Sequence, residues 1–157
     1  MPESLESLPL TTPFLAVDTA EIRARRDAFA RAFRGRVHVR YALKCNPLPQ
    51  VLKTITAAGD SFEIASAGEL QLALGAGARA ADLIYSNPVK PVTHIAATAA
   101  AGVRIFAADG PGEVEKIAMF APGARLMVRV RVDDAGSAFP LSSKFGTDVG
   151  IAGALLE

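Results

Sequence analysis

The 157-residue chain has no tryptophan, one cysteine, 6% aromatic residues and almost no net charge. A single cysteine, Cys45, excludes an internal disulfide and suits a reducing cytosol, so the expected location is cytoplasmic. Seventeen Lys and Arg against sixteen Asp and Glu leave a formal charge of +1, too balanced for the basic field of a nucleic-acid binder. Apolar residues are half of the chain, yet Arg, Asp, Glu or Pro interrupts them well before about 18 in a row, so no segment reads as a membrane span. The first ten residues carry Glu3 and Glu6 and no basic patch, unlike a secretory signal. Thirty alanines supply much of the apolar fraction, which places small side chains on helices.

Residues 1–13, with three Pro, two Ser and two Thr, read as a flexible lead-in, followed by residues 14–157 as a folded unit. Phe14–Val17 is a candidate short strand. Asp18 with Glu21 starts a helix through about Phe33, stopped by Gly35. Val37–Lys44 alternates as a strand ending at Lys44, with His38, Arg40 and Lys44 on its polar face. Asn46 as N-cap and Pro47 as N1 open a helix to about Ala58. Further strands are expected at Ser61–Ala65, Asp82–Ser86, Val103–Ala107 and Arg125–Val132. Helices are expected from Ser66 to about Gly75, over Pro91–Ala101, and from Asp109–Pro111 to about Phe120, with a loop over Asp133–Gly146.

Strand and helix alternate at roughly 20 to 25 residues, the signature of βαβ units and a parallel sheet. A doubly wound sheet buries both strand faces and favours continuous apolar strands. These strands instead keep one apolar face and place Arg40, Lys44, Glu63, Arg129 and Arg131 on the other, toward their C-terminal ends. The pattern fits a (β/α) barrel better, with about five βα units present.

Lys44 stands at the C-terminal end of an apolar strand, Tyr41-Ala42-Leu43-Lys44. Partial burial there would lower its pKa and supply the neutral amine that condenses with a carbonyl. The competing reading is a rim lysine that pairs with a carboxylate or reaches solvent. Glu69, three residues after Ser66, is explained as half of a capping box. His38 reads as a core or satisfied polar group, His94 as surface, and Cys45 as packing. Gly75-Ala76-Gly77 lacks the third glycine of a dinucleotide loop, and no metal-ligand cluster is visible.

Four ordered blocks carry a resemblance: Tyr-Ala-Leu-Lys-Cys-Asn-Pro at 41–47, Ser-Phe-Glu-Ile-Ala-Ser-Ala-Gly-Glu-Leu at 61–70, Ile-Tyr-Ser-Asn-Pro-Val-Lys at 84–90 and Ser-Lys-Phe-Gly at 143–146. Together the sequence resembles the pyridoxal-phosphate-dependent ornithine/diaminopimelate/arginine decarboxylases with the alanine-racemase-type barrel. Asn-Pro-Val-Lys after the third strand looks more like the ornithine branch than the diaminopimelate branch.

The resemblance implies an α/β fold, the N-terminal part of a (β/α)8 barrel, and decarboxylation of a basic amino acid such as ornithine to a diamine. It also implies that Lys44 holds pyridoxal 5'-phosphate as an internal aldimine. Arg129 falls on the family's arginine near the cofactor. Glu63 falls where the family has a carboxylate, usually Asp, near the Schiff base. Glu69 matches a further family carboxylate, and Lys144 a lysine in an ion pair across the interface of a homodimer with shared sites. A full barrel has eight strands and about 250 residues, so the later strands, the phosphate loop and the second domain are expected outside this chain, and the 157 residues alone are not expected to turn over. A carrier or regulatory module that binds pyridoxal phosphate without catalysis, and a protein-interaction piece, are the alternatives.

Overall fold

A computed structural model describes residue 11 and residues 13–156. Of the expected lead-in, only Thr11 and Pro13 fall within the described residues. The elements follow in chain order. Helix α1 (Thr19–Ala32) precedes strand β1 (Arg40–Ala42), and a one-turn 3₁₀ segment (Leu43–Cys45) leads to α2 (Pro49–Ala57). Then come β2 (Ser61–Ile64), α3 (Ala67–Gly75), β3 (Ile84–Tyr85), α4 (Val92–Ala101), β4 (Ile105–Ala108), α5 (Pro111–Phe120), β5 (Arg125–Val128) and α6 (Val149–Ala154).

The five strands form one parallel sheet in the order β1-β2-β3-β4-β5, so each strand pairs with the one before it in sequence. The register pairs Tyr41 with Phe62, Glu63 with Ile84, Ile84 with Ile105 and Ile105 with Arg125, each 20 or 21 residues apart. That spacing matches the repeat read from the sequence.

Because side chains alternate across a strand, the register sorts residues between two faces. Ile64, Tyr85, Phe106 and Leu126 form one rung, and the first three are fully buried. They share one cluster with Leu52 and Ile55 of α2, Leu70 of α3, Ile95 of α4 and Ile117 of α5. Helices therefore cover one face. The opposite rung is Glu63, Ile84, Ile105 and Arg125. One-sided cover is the barrel-like alternative, and the chain is α/β with five parallel strands in an open sheet.

Helix starts follow the capping signals. The Asp18 carboxylate accepts from the Ala20 and Glu21 amides, and Ser66 Oγ from the Glu69 amide at 3.1 Å. The Glu69 carboxylate reaches back to the Ala65 amide at 2.6 Å, one residue earlier than a regular capping box. Gly102 ends α4 at φ +109.

Several boundaries are corrected. Phe14–Val17 is not a strand; Leu15 is exposed and pairs with no sheet neighbour. The expected strand over Val37–Lys44 shortens to three residues, because β1 is an edge strand whose register with β2 runs only from Arg40 to Ala42. Asn46 and Pro47 do not start α2. Pro49 does, because a residue before proline is pushed out of the helical region, and Leu48 is extended at φ −58, ψ 131. Asn46 Oδ1 instead accepts from the Leu48 amide at 3.2 Å. The fifth strand stops at Val128, and Val130 makes only an isolated parallel bridge with Thr147.

Candidate active site

The open face of the sheet and the C-terminal ends of its strands converge on one pocket. Strand parity places Ser86 two residues beyond Ile84 and Arg129 two beyond Met127, on the same side as Glu63 and Ala107, and Lys44, just past β1, faces Glu63 there. Lys44, Glu63, Ser86, Asn87, Arg129 and Phe145 all line a pocket of about 450 Å³.

Lys44 lies on the 3₁₀ turn just past β1, not within the strand. Its side chain is 66% exposed and pairs with Glu63, the rim-lysine arrangement of the two read from the sequence. Among the described residues β1 has one strand neighbour, β2. Lys44 Nζ donates to Glu63 Oε1 at 3.3 Å, an exposed pair worth at most about 1 kcal/mol to stability. The same Glu63 oxygen accepts from Ser86 Oγ at 2.6 Å. A hydroxyl on one strand end and an amine on another thus hold one carboxylate oxygen between them.

Arg129 closes the opposite side. Its amide donates to the Ala108 carbonyl at 2.9 Å, and its guanidinium lies 4.7 Å from the centre of the Phe145 ring. Phe145 arrives from the loop after β5. That loop is organised by Asp134, whose carboxylate accepts from the Leu141 and Ser142 amides and the Ser142 hydroxyl at 2.6, 2.9 and 2.6 Å. The Ser142 hydroxyl and amide, with the Leu141 amide, hold the Asp134 carboxyl below its ordinary value.

The remaining sequence candidates fall elsewhere. Lys144 is exposed on the loop, away from the pocket lining. Glu69 is used up as the cap of α3. Cys45 is exposed, not packed, because the 3₁₀ turn rotates it away from the alternation of β1. His38 is exposed before β1 starts, so it is neither on a strand nor in the core. His94 is half-buried rather than surface, with Nδ1 3.3 Å from the hydroxyl of the fully buried Tyr85.

Sequence reasoning missed Ser86 and Phe145, although both stand inside the quoted blocks. For Ser86 the usable signal was parity, two residues after the partner of Glu63. It also missed Lys90, a fully buried charged side chain behind the pocket.

Among the described residues no group of three or more His, Cys, Asp or Glu could hold a metal ion, and no helix is long and apolar enough to cross a membrane. The donor set suits a different guest. A reachable primary amine, a fixed carboxylate and an arginine around about 450 Å³ fit a flat aromatic aldehyde carrying an anionic group.

Residues 19–157 match the family described as pyridoxal-dependent decarboxylase, pyridoxal binding domain. The chain is 36% identical over 140 residues to the lysine/ornithine decarboxylase of Selenomonas ruminantium, covering 89% of this chain and 35% of that protein. It is 35% identical over 144 residues to the ornithine decarboxylase of Mus musculus, covering 92% and 31%. The structure of the Selenomonas ruminantium lysine decarboxylase in complex with pyridoxal phosphate and cadaverine superposes with a TM-score of 0.81 at 35% identity, over 96% of this chain and 36% of that one. The chain spans about a third of the length of these relatives.

Proposed function

Since the chain belongs to the pyridoxal-binding domain family of the pyridoxal-dependent decarboxylases, we propose that it forms the lysine-bearing part of a decarboxylase acting on a basic amino acid, ornithine-like, to give a diamine. Relatives named for ornithine and lysine decarboxylation support the substrate class. The observation that carries the reading is the convergence of Lys44, Glu63 and Arg129 on one pocket at the strand ends.

Lys44 would hold pyridoxal phosphate covalently through Nζ. When bound, the cofactor supplies a pyridine ring that accepts the electrons left behind as carbon dioxide departs. Glu63, fixed by Ser86, offers a carboxylate at that nitrogen and can hold a proton there. Asp is usual in the family at this position; Glu63 keeps the charge, and the Ser86 hydrogen bond holds its carboxylate. Arg129, stacked on Phe145, supplies a positive charge on the far wall that orients an anionic group. Lys144, exposed on the loop, is assigned to the interface of a homodimer with shared sites. A cytoplasmic setting is part of the same proposal.

The first test adds pyridoxal phosphate to the chain, reduces with borohydride and maps the adduct. A label at Lys44 that vanishes in Lys44→Ala is the expected result; a label spread over surface lysines overturns the reading.

A further inference from the structure

Lys90 closes the turn that follows β3, and its side chain is fully buried. Nζ donates to the carbonyls of Asn87 at 3.0 Å, Pro88 at 3.1 Å and Ala107 at 2.5 Å, and lies 3.3 Å from Glu113 Oε2. An ammonium has three protons, and three main-chain carbonyls account for them. The Lys90 backbone is tied as well. Its amide donates to Glu113 Oε2 at 3.2 Å and its carbonyl accepts from Lys116 Nζ at 2.8 Å, while Lys116 also pairs with Glu113. Burial pushes the Lys90 ammonium below its ordinary value, and Glu113 pulls it back.

Desolvating an ammonium is costly, and an apolar side chain would fill the same volume without that cost. What the lysine adds is a grip on two separate segments, the turn after β3 and strand β4. Asn87, Pro88 and Ala107 are also wall residues of the pocket. Ser86, at the head of the same turn, makes the 2.6 Å bond to the Glu63 oxygen that faces Lys44.

The geometry points to Lys90 as a positioning residue: a tethered cation that clamps the Ser86–Pro88 turn to β4 and thereby sets Glu63 opposite Lys44. The inference rests on the proposed cofactor pocket only for its consequence there. The clamp itself is a property of the chain without any ligand.

Lys90→Met keeps most of the volume and removes the charge and its donors. Hydrogen exchange should show faster exchange confined to the amides of Ser86, Val89 and Lys90, with α2 and β2 unchanged; uniform loss, or none, overturns the clamp. Titration with pyridoxal phosphate should show affinity about tenfold weaker than wild type, the size expected for one charge-assisted hydrogen bond. Ser86→Ala should weaken binding to a similar extent, and the double variant should be no worse than Ser86→Ala alone. Additive losses, or unchanged affinity in Lys90→Met, overturn the link to Glu63. Should Lys90→Met fail to fold, Lys90→Gln, which removes the charge and shortens the reach to the carbonyls while keeping a polar donor, carries both measurements with smaller effects of the same pattern; no effect there overturns the inference. If the wild-type chain forms no adduct at Lys44, the cofactor reading fails, while the exchange result still decides for or against the clamp.

Discussion

Gly146 shows how one residue sets the far wall of the pocket. It sits at φ +91, and a Cβ built there would lie 2.8 Å from the Arg131 amide nitrogen and 3.0 Å from its Cα. Those neighbours are backbone and cannot swing aside. The Gly146 amide donates to Asp109 Oδ2 at 2.9 Å, which anchors the residue immediately after Phe145. Gly146→Ala should therefore cost about 1–3 kcal/mol and lower the melting temperature by several degrees. It should also move the Phe145 ring off Arg129. Thermal unfolding and the ring-proton shifts of Phe145 check the two effects.

At the scale of elements, most helices were legible in the sequence, although the start of α2 and the whole of α6 were missed, and the strand lengths were not legible. Asp18, Ser66, Gly102 and Pro111 announce helix ends through local chemistry, and the structure uses each of them. Strand ends depend on a neighbour far along the chain. The alternation of Val37–Lys44 looks like eight residues of strand, whereas β2 offers partners to only three. Lys44, Glu63 and Arg129 were visible because strand parity and motif order both select them. Lys90 was not, since a lysine in a Pro-flanked turn reads as solvated until its three carbonyl partners are assembled by the fold.

The loop after β5 carries an element-scale prediction. A carboxyl held below its ordinary value contributes order above the usual aspartate range and loses it as pH falls through the lowered value. The Leu141 and Ser142 amides should therefore stay protected at neutral pH. They should lose protection together only as pH falls below the ordinary aspartate range, where Asp134 takes up its proton. Amide exchange followed against pH measures this, and Asp134→Asn should remove most of the pH dependence.

For the molecule as a whole, alkaline stability reports on the core. The chain has two tyrosines, Tyr41 and Tyr85. Burial foremost, then the charges of Glu69 and Glu113, pushes Tyr85 up to about 12, and burial raises Tyr41 as well. The folded state thus holds the Tyr85 proton more tightly than the unfolded chain does. Its contribution is fully present below about pH 10 and is lost as pH rises through about 12. An ultraviolet titration should show little tyrosinate at pH 10, then ionisation and unfolding together; early ionisation of both tyrosines in the folded chain would contradict the packing of Tyr85.

The strand order has a consequence for how the chain is made. Each of β2 to β5 pairs with its predecessor, about 20 residues back, so none of these pairings waits for a distant segment to emerge. Loop closure stays short at each step, and contacts accumulate in the direction of translation. A ribosome releasing this chain delivers each βα unit to a neighbour already in place, and assembly can keep pace with synthesis.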